Sequence, residues 1–171
     1  MRVLGIDPGT ITAGWGVVEK TGNRLKLVAY GTVSPGRRGL YEQRLKQIYD
    51  GLTEVIKEHK PDALAIEDVF YGKNIKAAIR IGEGRAVALL CAAHAGLPVA
   101  EYAARVVKKS AVGVGTAHKS QVQQMVKAIL GLAAVPEPED AADALAIALC
   151  HCNRAQGSVT ATTTGTANER R

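Results

Sequence analysis

Two short apolar segments of the chain each end abruptly in an acidic residue. Residues 3–6 are followed by Asp7, and residues 63–66 are followed by Glu67. Apolar segments without polar alternation are typical of strands that are covered on both faces of a sheet. A carboxylate at the edge of a core is costly unless something compensates its charge. The pattern therefore predicts a sheet covered on both faces, with acidic side chains at the carboxyl ends of two strands.

The two acidic residues are expected to lie next to each other. An amphipathic helix is predicted over residues 40–59, between the two strands. A right-handed crossover through this helix makes the strands parallel, so that their carboxyl ends meet at one edge of the sheet. Because side chains alternate along a strand, Asp7 shares a face with Gly5, and Glu67 shares a face with Ala65.

A second acidic pair, Asp140 and Asp143, lies on a helix predicted over residues 139–154. Residues three apart on a helix point to the same side. The pair resembles a capping box that complements the helix dipole. Alternatively, the pair joins Asp7 and Glu67 in one carboxylate cluster, which would suit Mg²⁺ and metal-dependent phosphodiester chemistry. The spacing of the pair leaves both explanations open.

The order of predicted elements is three strands, a helix, a strand, a helix, a strand and then helices. It predicts an α/β fold with a mixed five-stranded sheet, in which three antiparallel strands lead into two parallel ones, with helices on both faces. A long helix over residues 75–95 is expected to be interrupted at residues 82–84, which read Gly-Glu-Gly. One domain is predicted over residues 1–156, and a disordered tail over residues 157–171.

Composition favours an anionic partner. The formal net charge is +6 and the sequence pI is near 9.3, which favours nucleic acid before membrane. No apolar stretch reaches the ~18 residues of a membrane span. The 3 cysteines form no Cys-x-x-Cys pair, so we expect free thiols in a reducing cytoplasm rather than zinc or disulfides. Cys150, His151 and Cys152 are consecutive on a predicted helix and cannot converge on one ion.

Five segments in order resemble one family. They are residues 5–10 (Gly-Ile-Asp-Pro-Gly-Thr), 65–70, 102–108, 119–123 and 140–147 (Asp-Ala-Ala-Asp-Ala-Leu-Ala-Ile). Together they resemble the RuvC-type Holliday-junction resolvases of the ribonuclease H-like superfamily. The resemblance implies a ribonuclease H-like fold, a homodimer, and Mg²⁺-dependent cutting of four-way DNA junctions in recombination and repair. It also implies that the catalytic metal ligands are Asp7, Glu67, Asp140 and Asp143.

The same resemblance suggests which residues contact DNA. It assigns Phe70 to the junction, where the ring would contact or unstack bases, although a sole Phe is also a common core residue. Lys108 and Lys119 match basic positions near the scissile phosphate, although exposed lysines are often simply solvated. Further candidates for phosphate contact are Lys73, Lys76, Arg80, Arg85, Arg105 and Lys109.

The hypothesis from the sequence is a homodimeric, structure-selective endonuclease with about two Mg²⁺ ions per subunit, for which Mn²⁺ could substitute. Hydrolysis would leave 5′-phosphate and 3′-hydroxyl ends, and a two-fold dimer would nick the junction symmetrically. The helix over residues 75–95 is the candidate dimer face, and a branch-migration helicase complex is an expected partner.

Two alternatives remain beside this hypothesis. One is a module that binds junctions through the same basic surface without cutting them. The other is an actin-like ATPase-type domain, because residues 5–10 also resemble the first phosphate loop of those proteins. This chain lacks their second Asp-x-Gly loop.

Overall fold

The computed structural model describes residues 1–68 and 75–155, with nothing described for the side chain of Ala77. The described residues form five strands and five helices. The strands are β1 (Arg2–Asp7), β2 (Ala13–Thr21), β3 (Arg24–Val33), β4 (Ala63–Glu67) and β5 (Val99–Tyr102). The helices are α1 (Tyr41–His59), α2 (Ile75–His94), α3 (Ala104–Val112), α4 (Lys119–Leu130) and α5 (Glu139–Arg154). The predicted tail over residues 157–171 lies outside the described residues.

The strands form one mixed sheet in the order β3-β2-β1-β4-β5. β1 pairs with β2, and β2 with β3, in antiparallel fashion, whereas β1 and β4, and β4 and β5, are parallel. This arrangement confirms the predicted mixed sheet. Ile6 of β1 is directly opposite Ile66 of β4. The next residues, Asp7 and Glu67, therefore leave the sheet at the same edge.

Helices cover both faces of the sheet, as predicted. On one face, Leu4, Ile6 and Leu64 pack with buried residues of α1 and α2. On the other face, Val3 and Ala65 pack with α3, α4 and α5. Side chains alternate along each strand, so Asp7 lies on the same face as Val3, and Glu67 lies on the same face as Ala65. This is the face that α5 covers. No helix in the described ranges is long and apolar enough to cross a membrane.

Helix α5 lies unusually close to the backbone of β1 and β2 because glycine occupies the contact positions. A Cβ atom added at Gly5 would lie 2.0 Å from the carbonyl oxygen of Ala144, and one at Gly14 would lie 2.0 Å from the carbonyl oxygen of Asp140. Gly14 is also the residue that pairs with Asp7 across β1 and β2. The first turns of α5 are therefore held over the end of β1 that carries Asp7.

Helix α2 is continuous from Ile75 to His94, so the predicted interruption at residues 82–84 is wrong. A Cβ at Gly82 would meet nothing within 4 Å, whereas a Cβ at Gly84 would lie 2.8 Å from the carbonyl carbon of Gly9. Gly84 therefore allows the loop after β1 to approach the helix and does not break it. The burial of Ala88 and Ala92 on the same helix offsets the weak helix propensity of glycine.

We predict that Gly84→Ala lowers the free energy of unfolding by roughly 1–3 kcal/mol, because the new methyl group would push against the backbone of Gly9. Gly82→Ala, two residues away in the same helix, is the matched control. It should leave stability unchanged or raise it by up to about 1 kcal/mol, because alanine favours helix and the position is open. Urea unfolding of both variants checks this, and equal effects at the two positions would contradict the assigned close approach.

Candidate active site

The four predicted acids lie within electrostatic reach of one another. Asp7 and Glu67 end adjacent parallel strands, and Asp140 and Asp143 occupy the first turns of α5. Burial and, after it, the negative charges of Asp143, Asp140 and Glu67 together raise the pKa of Asp7 to about 7. The structure therefore brings together side chains that are separated by more than a hundred residues in the sequence.

Glu67 and Asp143 are perturbed in the same direction as Asp7. Burial is the main cause that raises the pKa of the Glu67 carboxyl, and the charge of Asp143 adds to it. Burial also raises the pKa of Asp143, although Lys119 opposes this shift by a hydrogen bond and by its charge. Half-buried carboxylates that repel one another lack compensating positive charge, which raises their pKa values. Perturbed pKa values of this kind are common at sites with chemical function.

A capping role for Asp140 is not supported by the geometry of α5. The helix begins at Glu139, Pro138 is the N-cap residue, and no side chain makes a hydrogen bond that caps the helix. Asp140 therefore lies inside the first turn, and the capping-box explanation with Asp140 as the cap is wrong. Glu139 and Asp140 still complement the positive end of the helix dipole, which lowers the cost of placing acids there.

Lys119, at the start of α4, is the principal cation beside the acids. Its Nζ atom lies 2.7 Å from Oδ2 of Asp143 and 3.1 Å from Oε1 of Glu139. Burial would lower the pKa of Lys119, but the hydrogen bonds to Asp143 and Glu139 raise it to about 12. Lys119 therefore remains charged at any physiological pH, and Asp143 is its main partner.

A cavity of about 290 Å³ opens beside this ion pair. The polar part of its lining consists of Glu67, Lys108, Lys119 and Asp143, and its apolar part includes Val107 and Ile147. Lys108 lowers the pKa of Glu67 by its charge, so the two predicted lysines and two of the predicted acids share one concave surface. Such a surface can hold an anionic group against two ammonium groups while carboxylates lie next to it.

The donor set of the site fits a hard divalent cation, since carboxylate oxygens are the ligands that Mg²⁺ prefers. In the ranges 1–68 and 75–155, however, no three His, Cys, Asp or Glu side chains form a group that could hold one ion. Asp143 instead faces Lys119. The backbone brings the four acids to one place and their unbalanced charge favours a cation, but their side chains would have to turn to share it.

Among the remaining predicted DNA-contacting residues, Arg85 is largely buried and pairs with Glu101 of β5, whereas the others that the structure describes are spread over the surface. Lys76 and Arg80 are exposed on α2, and Arg105 is exposed near the start of α3. Arg105 lines a separate cavity of about 790 Å³ together with Lys109 and Arg154. Two predicted residues, Phe70 and Lys73, lie outside the described residues.

Glu139, which is not among the residues predicted for the site, belongs to its network of ion pairs and hydrogen bonds. Its carboxylate accepts a hydrogen bond from Nε2 of Gln123 at 3.3 Å and pairs with Lys119. The signal was present in the sequence, because Glu139 directly precedes Asp140 in the first turn of the helix. Its partner Lys119 lies on another helix, and this contact could not be read from spacing.

The comparisons with known proteins agree on one family. The model of the family described as "Crossover junction endodeoxyribonuclease RuvC" matches residues 3–151. A protein of that name from Chloroflexus aggregans is 52% identical over 151 residues, which cover 88% of this chain and 92% of the relative. One from Dehalococcoides mccartyi is 49% identical over 151 residues, covering 88% of this chain and 90% of the relative.

The chain belongs to the RuvC family. Among solved structures, Thermus thermophilus RuvC in complex with a Holliday junction substrate superposes with a TM-score of 0.84 at 33% identity, covering 92% of this chain and 97% of that one. The yeast mitochondrial Holliday junction resolvase Ydc2 superposes with a TM-score of 0.62 at 12% identity, covering 88% of this chain and 77% of that one, which shows a shared fold. The predicted family and the ribonuclease H-like fold are thereby confirmed.

We predict that Asp7→Asn stabilises this RuvC-family chain when divalent cations are absent. The pKa of Asp7 in the folded chain is about 7, above the ordinary value of 3.8, so the folded state binds the proton more tightly than the unfolded state. Stability from this group is complete below pH ~4 and is lost as the pH rises through about 7. Asp7→Asn should therefore raise the melting temperature at pH 8, by about 2–4 °C for each kcal/mol of relieved repulsion.

The melting temperatures of the two proteins should converge as the pH falls toward 4. Asp50→Asn is the matched control, since Asp50 is exposed on α1 and is paired with Lys46 at 2.5 Å. A gain for Asp7→Asn that does not change between pH 4 and pH 8 would contradict the electrostatic origin of the repulsion.

Proposed function

We propose that this chain is a structure-selective endonuclease that resolves four-way DNA junctions in recombination and repair. The observation that carries the proposal is the cluster of mutually repelling carboxylates at the edge of β1 and β4, next to a cavity that contains two lysines. Membership of the RuvC family supports it, as does the likeness to a T. thermophilus relative solved with a Holliday junction. The excess of basic residues suits a DNA partner.

In this proposal Asp7, Glu67, Asp140 and Asp143 hold Mg²⁺, and Mn²⁺ can replace it. Two such ions, held by these carboxylates, would supply the positive charge for hydrolysis of a phosphodiester bond, which would leave 5′-phosphate and 3′-hydroxyl ends. The raised pKa of Asp7 supports this proposal, because a bound cation would relieve the repulsion among the carboxylates. Without a cation, Asp7 holds a proton for much of the time near neutral pH, and cation binding would release that proton.

In this proposal the lysines of the site contact the substrate during the reaction. Lys119 is tied to Asp143 and Glu139 while no phosphate is bound. A cation that takes Asp143 as a ligand competes with Lys119 for the same carboxylate. The ammonium group of Lys119 would then be released toward the cavity, where it and Lys108 hold the scissile phosphate and orient it against the acids.

We predict that Asp7→Asn abolishes cutting of a synthetic four-way junction in Mg²⁺, with a loss of at least about 100-fold, and leaves junction binding within a few-fold of the original. The amide keeps the size of the side chain and removes the charge. Product analysis on denaturing gels measures cutting, and fluorescence anisotropy in EDTA measures binding.

Asp50→Asn is again the matched control, because it makes the same chemical change on the outer surface of α1. A linear duplex of the same sequence should be cut poorly by every variant. If Asp7→Asn still nicks junctions in Mg²⁺, the assignment of the acids is wrong. If the unaltered chain binds junctions and never cuts them, the non-catalytic alternative is correct.

We also propose that two copies of the chain form a homodimer through α2. Ile75, Ile79 and Leu90 are exposed at 72%, 56% and 49%, and the helical repeat places them on one stripe with the small residue Ala86. An exposed apolar stripe of this length on one helix is typical of a protein–protein contact. A two-fold axis along it would give the dimer two sites for a two-fold junction.

We predict that Ile79→Asp weakens the dimer by at least about 10-fold in Kd, because it places a charge in the centre of the apolar contact. Light scattering coupled to gel filtration measures the mass across a dilution series. Val114→Asp is the control, since Val114 is 54% exposed in the turn between α3 and α4, away from α2. A dimer that is unchanged by Ile79→Asp, or equally weakened by both variants, would rule out the α2 interface.

Three further expectations remain part of the proposal. Contacts of Lys76, Arg80 and Arg105 with DNA phosphates would position the junction without reading its sequence. A branch-migration helicase complex is the expected protein partner, and the cytoplasm is the expected location.

A further inference from the structure

A second cavity has Asp140 of the acidic cluster in its lining and shares no lining residue with the cavity that contains the two lysines. It measures about 320 Å³ and lies between the loop that follows β1 and helix α2. Its lining includes Gly9 and Thr12 from the loop, Arg37 from the segment after β3, Arg80 from α2, and Asp140. The acidic cluster therefore contributes to two cation-bearing cavities: Glu67 and Asp143 line the one with Lys108 and Lys119, and Asp140 lines the one with Arg37 and Arg80.

Arg80 is held in place by stacking on Tyr41. The guanidinium carbon of Arg80 lies 4.8 Å from the centroid of the Tyr41 ring, and that of Arg44 lies 5.1 Å from the same centroid. The Tyr41 hydroxyl donates a hydrogen bond to the Glu83 carboxylate on α2. One aromatic ring thus orients two arginine side chains, which lowers the entropy cost of any contact that Arg80 makes with a ligand.

The arginines around this cavity lack an ion-pair partner within the part of the chain that the structure describes, although Asp140 belongs to the lining and Glu83 contacts Tyr41. Arg44 is only 9% exposed. Among the described residues, its side chain makes a single hydrogen bond, a long contact of 3.4 Å to the Gly36 carbonyl oxygen, and its Nε atom has no acceptor. Arg37, Arg44 and Arg80 form none of the ion pairs found among the described residues. A buried guanidinium without a carboxylate is costly unless an anion joins it in the functional complex.

We propose that this cavity binds a non-scissile backbone phosphate of the DNA strand that is cut. The inference rests on the proposed function and adds to it a second phosphate site, with Arg37 and Arg80 as ligands and Tyr41 and Arg44 as positioning residues. A strand that crosses the acids leaves one phosphate at Lys108 and Lys119 and places a neighbouring one at Arg37 and Arg80. Guanidinium groups suit this task because they bind phosphate oxygens in pairs.

The first test measures junction binding in EDTA over a range of salt concentrations for Arg37→Gln and Arg80→Gln. Each variant should weaken binding by about 10-fold, and each should reduce the slope of log Kd against log salt by about 1, as loss of one phosphate contact does. Arg24→Gln is the matched control. Arg24 begins β3 opposite Thr21, at the other end of the sheet from Gly14 and Asp7, and its loss should change neither quantity.

The second test identifies the phosphate. Methylphosphonates, which carry no charge, replace single phosphates of the cut strand on either side of the scissile position. One such replacement should weaken binding of the unaltered chain by about 10-fold and should have no further effect on Arg80→Gln. Fully additive effects at every position would overturn the proposal. It would also be overturned if the arginine variants weaken binding of inorganic phosphate but leave junction binding unchanged, since the cavity would then be a simple anion site.

These outcomes are distinct from failure of the proposed function. A chain that neither binds nor cuts junctions refutes the resolvase proposal and this phosphate site with it. A chain that binds and cuts junctions, with equal binding by Arg80→Gln and Arg24→Gln, refutes only the second phosphate site.

Discussion

The close contact between α5 and the backbone of β1 and β2 is the constraint on which the site depends. It requires glycine at positions 5 and 14, because any side chain there would meet the carbonyl oxygens of Ala144 and Asp140 at 2.0 Å. With the helix seated so deeply, its first turns overlie the end of β1. The acids of α5 and the acids of the two parallel strands then share one small volume. The fold thus brings four negative charges together through packing of uncharged residues, and the core around Leu145 and Ile147, both almost fully buried, opposes their repulsion.

The sequence predicted the strands, the helices and the mixed sheet because apolar periodicity and short turns are local signals. Asp7 and Glu67 could be placed side by side because a crossover helix has a preferred hand. Other features depend on contacts between distant segments. Glycine at position 84 predicts an interruption of α2, whereas the residue allows a close approach of the backbone at Gly9, which lies far away in the sequence in the loop after β1. The spacing of Asp140 and Asp143 could not separate a cap from a site, and only the start of α5 at Glu139 shows that Asp140 is not the N-cap. The stacking of Arg44 and Arg80 on one ring has no signature in the sequence at all.

Charge balance links the acids, the lysines and the proposed substrate. Lys119 neutralises Asp143 in the absence of other ions, and Asp7 is left with a pKa of about 7. A divalent cation alone would balance the acids but would deprive Lys119 of its partner. A phosphate alone would satisfy Lys119 but would add negative charge beside Glu67 and Asp7. In the proposed function, each ligand would therefore remove the electrostatic penalty that the other creates, and their binding should be positively coupled. Such coupling favours a cation that is held firmly only when DNA is present.

The positions of the lysines and arginines around the acids also bear on how the proposed DNA strand would bind. If lysines and arginines lay on one side only, a bound strand could approach the acids at many angles. Two separate cation-lined cavities, one containing Asp143 and the other Asp140, would fix the strand at two of its phosphates, which would set both the position and the direction of the backbone across the site. Arg80 and Lys119 come from helices on opposite faces of the sheet. Helices from both faces of the sheet can contact one ligand at the carboxyl edge of the sheet. This edge is therefore suited to the proposed DNA site.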